Sequence, residues 1–393
     1  MRPLDNSIAA MEGALTEWRR ELHRHPELGY EEVRTAAFIA EKLRGFGLDS
    51  IETGIGGTGV VGVLHGASGP GDEAKTILVR SDMDALPIEE ATGAAHASTA
   101  KGRMHACGHD GHMTMLLGAA RRLAETRGFD GTVIFVFQPA EEGGAGAKAM
   151  LDDGLLARFP ARAVYGMHNW PGLPAGRFAV APGPVMAAAD EFRISIRGKG
   201  GHAAKPDLAH DPIVAGAALV QALQTIVSRR VDPVAPAVLS VTMFQSGSAM
   251  NVIPETAELG GTIRSFDERT HALITAEMAR KCAMLGAAFD VDIAFSGGRN
   301  PYPPVVNDPA ETSFAGAVLD DLVGPGNVMH GHPPAMAAED FAFLARERPG
   351  AFVFIGNGDS APLHHPEYDF DDSIAPLGVA YWTRLVETAL QKG

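Results

Sequence analysis

The chain has 393 residues, too many for one ordinary hydrophobic core, so two domains are the starting expectation. Hydrophobic residues make up 46% and charged residues 21%, the balance of a folded globular protein and not of a disordered one. A formal net charge of −15 argues against nucleic acid or an anionic membrane as a partner, and the two cysteines, Cys107 and Cys282, exclude a disulfide framework.

The opening segment, MRPLDNSIAAMEGALTEW, has no basic stretch leading into a long apolar run, so neither a signal peptide nor a membrane anchor is expected. With its thiols free, the chain suits a reducing compartment, the cytoplasm. Short unbroken apolar runs then appear at TILVR (76–80), TVIFVFQ (132–138) and AVYGM (163–167), as expected of strands buried on both faces. Between the first two, DGHMTMLLGAARRLAE places Met113, Leu116, Leu117, Ala120 and Leu123 at helical spacing. Strand, helix and strand joined by right-handed crossovers predict an α/β sheet with helices on both faces.

From about Ala187 the pattern changes. EFRISIRGKG alternates, with Phe192, Ile194 and Ile196 on one face, so this strand is half exposed. The helix DPIVAGAALVQALQTIVSRR follows, then the strands AVLSVTMFQ and ELGGTIRSF, the helix ERTHALITAEMARKCAMLG and the strand FDVDIAF. That β-α-β-β-α-β order predicts a ferredoxin-like α+β domain. SGGRNPYPPVVND reads as a return linker, and the buried-strand pattern resumes in AFVFIGNG (351–358). The expectation is a discontinuous, mixed-sheet catalytic domain, residues 1–186 and 298–393, with a small domain, 187–297, inserted into it.

Polar residues of the first domain collect just past its apolar runs: Asp82 and Asp84, Glu141 and Glu142, His168, and His364 with His365. In a parallel sheet these positions share one edge, outside the carboxyl ends of the strands, where ligands bind. HACGHDGH (105–112) adds Cys107 and His109 ahead of a helix whose N-terminal dipole favours a thiolate. Taken alone, Cys107 could be a redox or nucleophilic thiol, but no second cysteine neighbours it and several histidines do. A thiolate among imidazoles suits Zn, Co, Ni or Mn and leaves the choice among them open. Consecutive glutamates at a strand end point to opposite sides, so one can bind metal while the other moves a proton. In the insertion, His202 follows a Gly-rich turn, and Arg264 with Asn251 could hold a carboxylate through a planar fork and a neutral donor.

Together these segments resemble the aminoacylase and carboxypeptidase-like metallopeptidases, in the branch of hippurate hydrolase, N-acyl-amino-acid amidohydrolase and indoleacetyl-amino-acid hydrolase. The resemblance runs in order through ELHRHPELGYEE, RSDMDALPIEE, MHACGHDGH, QPAEEGG, GMHNWP, GKGGHAAKP, NVIPE, GTIRSF, AAEDFAF and LHHPEYDF. It implies two divalent metal ions per subunit held by Cys107, His109, Glu142, His168 and His364, with Cys107 bridging. His365 stands where the family usually has Asn or Ser, and His364 keeps the spacing to Pro366. The resemblance further implies Glu141 as general acid/base, His202, Asn251 and Arg264 on the substrate, and a homodimer or homotetramer through the inserted domain. The expected substrate is a small N-acyl amino acid. A dipeptidase, an N-acetyl-diaminopimelate deacetylase, and a non-catalytic metal-stabilised binding protein are the alternatives.

Overall fold

The computed structural model describes residues 5–298 and 301–391, so Arg299 and Asn300 of the return linker lie outside the described residues. The chain divides into two compact units: one of residues up to Val185, Val306–Pro333 and from Asp340 onward, the other of Met186–Val305 and Pro334–Glu339.

In chain order the first unit begins with α1 (Glu12–Arg24), α2 (Val33–Phe46), β1 (Ser50–Ile55), β2 (Gly59–His65), β3 (Thr76–Asp82), α3 (His109–Thr126), β4 (Thr132–Gln138), β5 (Ala163–Trp170) and β6 (Phe178–Val180). The second unit contributes β7 (Ala188–Arg197), α4 (Pro212–Arg230), β8 (Ala237–Ser246), β9 (Thr256–Ser265), α5 (Glu268–Phe289) and β10 (Asp292–Gly297). The first unit then resumes with α6 (Pro309–Val323), β11 (Val328–His330), β12 (Gly350–Gly356) and α7 (Ala375–Ala389).

The large sheet runs β1-β2-β4-β3-β5-β12-β6-β11. Its centre is parallel: β3 pairs in parallel with β4 and β5, and β12 with β5, while β1, β2 and the β12–β6 pair are antiparallel. Both faces are covered, which is why the runs are apolar without alternation. Ile77, Val79, Phe135, Tyr165 and Val353 join the core under α1, α2, α3, α6 and α7. Leu78, Val136, Val164 and Phe352 face the other way and are equally buried. The Phe341 ring, from the short helix Phe341–Glu347, packs 5.1 Å from that of Phe352 on this second face.

The inserted unit has the strand order β8-β9-β7-β10, antiparallel throughout, with α4 and α5 packed on it. That is the ferredoxin-like arrangement. Its core joins Phe192, Ile194 and Ile196 of β7 to Leu219, Leu223, Ile274, Met278 and Cys282 of the helices, and the alternate residues of β7 are exposed or half-buried.

Candidate active site

The central strands deliver chemistry at their carboxyl ends. β3 ends at Asp82, β4 at Gln138, and β5 carries His168 two residues before its end. Cys107 lies in the loop before α3, separated from His109 by Gly108 in the left-handed conformation (φ 88°). A Cβ at 108 would stand 2.3 Å from Asn169 Oδ1 and 2.6 Å from the Tyr368 hydroxyl, so only glycine fits between the two residues.

Ligand atoms of Cys107, His109 and His168 lie within 4.8 Å of one another, and so do those of Cys107, Glu142 and His364. The two triads share the thiol. Cys107 Sγ is 3.4 Å from His168 Nε2, and His364 Nε2 is 3.1 Å from Glu142 Oε1. Backbone carbonyls fix the tautomers: His109 Nδ1 donates to Asp84 O at 2.8 Å and His168 Nδ1 to Asn169 O at 2.6 Å. Each ring therefore turns its Nε2 inward, and that of His109 is buried with no hydrogen-bond partner. A buried polar atom without a partner is costly, and an ordered second shell behind an imidazole is the usual setting of a metal ligand. Donor set and orphaned nitrogen both fit divalent ions of the Zn, Co, Ni and Mn class. Asp82, His109 and His112 form a further close group, but both ring nitrogens of His112 are occupied, at 2.7 Å each, by Asp82 and Asn169. His112 is a brace.

The electrostatics of the pocket invite positive charge. Burial opposes a charged His109, yet Asp82, the hydrogen bond to Asp84 and then Glu142 outweigh it and push its pKa up to about 10. Burial, reinforced by His112, keeps His168 well below the usual histidine range and so in its neutral, ligating form. For Cys107 the helix dipole works against stronger influences. Burial, then Glu142, Glu141 and Asp82, push the thiol well above its ordinary range, so the helix terminus alone does not ionise it.

The two glutamates also part for a reason other than strand alternation. They lie past β4, after Ala140 in the left-handed region, and Glu142 itself leaves helical geometry (φ −72°, ψ 76°). The Asp84 carboxylate accepts the backbone N–H of Glu141 at 3.0 Å and of Glu142 at 2.9 Å, pinning the turn. From that turn the Glu141 side chain accepts the Asp340 N–H at 3.3 Å, while Glu142 joins Cys107 and His364. Of the two adjacent histidines, His364 is aimed by a left-handed backbone (φ 64°) and by its N–H, which donates to Ala106 O at 2.8 Å. His365 turns elsewhere: its Nδ1 accepts the Glu367 N–H at 3.1 Å.

Within the insertion, His202 and Asn251 are neighbours. Gly201–His202 pairs with Val252–Ile253, and the Ala203 N–H donates to Asn251 O at 3.1 Å. Arg264 is not with them. It lies near the far end of β9, opposite Ala189 and Val238, eight residues beyond Thr256 and so ~26 Å along the strand at the usual rise. The three do not form one cluster within a single insertion. Arg264 is half-buried and makes no hydrogen bond or ion pair among the described residues; burial lowers its pKa from the usual arginine range, against the pull of Glu191.

Residues 78–388 match the profile of Peptidase family M20/M25/M40. The chain belongs to this family. It is 40% identical to hippurate hydrolase of Campylobacter jejuni over 379 residues, covering 96% of this chain and 97% of that protein. It is 40% identical to N-acetyl-L-cysteine deacetylase of Bacillus subtilis over 368 residues, covering 93% and 86%. A crystal structure of the Bacillus subtilis YXEP protein, a dinuclear metal-binding peptidase of the M20 family, superposes with a TM-score of 0.83 at 35% identity, covering 98% and 99% of the two chains. This M20-family chain is a metal-dependent amidohydrolase.

Sequence reasoning on this M20 chain left Asp84, Asn169 and Asp340 without roles, because each acts through main-chain groups or other side chains. It also passed over a buried ionic group beneath α3. Asp110 accepts Arg19 Nε at 3.0 Å and faces His23 Nδ1 at 2.7 Å; His23 Nε2 is 3.3 Å from Glu90, and Arg19 also reaches His96, Asp369 and Asp372. A signal was present: Arg19 interrupts the apolar stripe Leu15, Trp18, Leu22 of α1.

Proposed function

We propose that this chain hydrolyses the amide bond of N-acyl amino acids, hippurate-type substrates among them. The observation that carries the reading is the shared thiol: two ligand triads meet at Cys107 beside the buried Glu141 carboxylate. In this reading Cys107, His109, His168, Glu142 and His364 would hold two divalent ions, with the Cys107 thiol common to both groups of ligand atoms. When bound, divalent metal supplies Lewis acidity, polarising the amide carbonyl and drawing the pKa of an attacking water toward ~7. Glu141 accepts the proton of that water as its oxygen bonds to the carbonyl carbon, then passes it to the leaving nitrogen as the C–N bond breaks. No covalent acyl-enzyme is required.

His202 is proposed to donate to the developing oxyanion, with Asn251 beside it, and Arg264 to grip the free carboxylate of the amino-acid half. An unpaired, half-buried guanidinium supports that role. The distance along β9 between Arg264 and the His202 pair favours a homo-oligomer, since one insertion cannot offer both to one small substrate. Exposed Met243 and Phe244 on the edge strand β8, with Ile213 and Val214 on α4, give such an association an apolar surface. Among the described residues no helix is long and apolar enough to cross a membrane, and the proposed location is the cytoplasm.

The test is a hydrolysis panel of hippurate, acetyl-, longer-acyl- and indoleacetyl-amino acids, with dipeptides and N-acetyl-diaminopimelate as competitors, and metal analysis of the same protein. Chelation should abolish turnover, and Mn, Co, Ni or Zn should restore it. Full activity in metal-free protein, or turnover of dipeptides alone, refutes the reading.

A further inference from the structure

The AAEDFAF segment has no task in the reaction as proposed, yet it enters the first unit at a fully buried carboxylate, that of Asp340. Four donations converge on it: Arg80 Nη2 at 2.9 Å, Gln138 Nε2 at 2.8 Å and 3.0 Å to its two oxygens, and the Ala147 N–H at 2.9 Å. With the side chain held on these partners, the main-chain N–H of the same residue meets Glu141 Oε1. Arg80, also fully buried, divides its guanidinium among Asp340, Gln138 Oε1 at 2.7 Å and Asp82 Oδ2 at 2.8 Å. Asp82 in turn contacts His112 Nδ1 at 2.7 Å and lies 3.8 Å from His109 Nε2, the inward nitrogen of a ligand.

We infer that Asp340 is a positioning residue for Glu141, and that Arg80 ties it to the ligand side of the site through Asp82. The inference rests on Glu141 being the acid/base. A glutamate has three side-chain torsions, and a group that must take a proton from water and return it to nitrogen has to stay in register with both. Displacement of a catalytic group by about 1 Å costs on the order of 10²-fold in rate. Stability alone does not explain the arrangement, because a buried arginine shared between carboxylates is commonly no more stabilising than apolar side chains of the same volume. What the charges achieve here is direction: one N–H aimed at one carboxylate oxygen.

The experiment is a double-mutant cycle in the metal-loaded, full-length protein. Asp340→Asn should lower kcat about 10- to 100-fold, with metal content unchanged and KM within about threefold. In the Glu141→Gln background the same change should move kcat by less than about threefold, because the group it positions no longer works. A merely structural role would subtract its full loss in both backgrounds, and that additivity overturns the inference, as does loss of metal from Asp340→Asn. Should Asp340→Asn fail to fold, Arg80→Lys, which keeps the charge but loses the three-way fork, and Gln138→Met enter the same cycle with smaller losses expected. Full turnover by Glu141→Gln alone would instead overturn the acid/base reading itself, and the inference with it.

Discussion

His109 and Asp110 are consecutive residues on the first turn of α3, and they face two buried polar clusters of opposite construction. Around Asp110 the protein supplies its own cations. Arg19 and His23 sit against Asp110, Glu90, Asp369 and Asp372, and although burial opposes its charge, Asp110 and Glu90 raise the His23 pKa to about 9. Around His109 a thiol, two glutamates and two inward-facing imidazole nitrogens converge, and Arg80 is engaged by Asp82 and Asp340. The difference separates scaffold from site. The Asp110 cluster holds α1 to α3 with cations of its own; at His109, ligand atoms of five side chains converge around one thiol, and the fold has reserved a place for cations.

The largest effect expected of this contrast is at the glutamate pair. Glu141→Gln should keep its metal and lose on the order of 10²–10⁴ in kcat, whereas Glu142→Gln should lose metal as well. Metal analysis beside turnover reads the division, and equal metal loss in both variants would erase it. Next comes the Asp110 cluster. Asp110→Ala removes the fully buried carboxylate that Arg19 and His23 share and should cost about 3–5 kcal/mol in denaturant unfolding, the usual range for a broken buried pair. A cost under about 1 kcal/mol would mean the cluster carries no such strain.

The smallest effect is a pH dependence. His23, facing Asp110, Glu90, Arg19, His96 and His105, has its pKa raised from 6.5 to about 9 by folding. A raised histidine contributes stability in full below pH 6.5, and that contribution is lost as pH rises through about 9. The unfolding free energy of wild type minus that of His23→Gln should therefore be larger at low pH than at high pH, by roughly 3 kcal/mol. A difference that stays flat with pH, or grows as pH rises, contradicts the assignment.

Much of this was legible in the sequence. Unbroken apolar runs marked strands buried on both faces, the rule that parallel strands present ligands at their carboxyl ends pointed to Glu142 and His168, and the HACGHDGH segment added Cys107 and His109. What stayed illegible depends on contacts distant in sequence. Asp84 caps a turn more than fifty residues away, and Asp340 works through its main-chain N–H, which has no signature in residue type. The separation of Arg264 from His202 needed the antiparallel register of β9, since GKGGHAAKP, NVIPE and GTIRSF read as one substrate-binding group until the strand between them is laid out.

β12 sits in the interior of the large sheet, between β5 and β6, although both of those are completed far earlier in synthesis. On the ribosome the insertion therefore emerges with every strand of its own sheet, while the sheet that carries the ligands still lacks an inner member. Until Gly350–Gly356 arrives, β5 and β6 expose unpaired edges, and His364 follows later still. A chain halted before residue 350 thus keeps every strand of the insertion while the large sheet lacks an inner one.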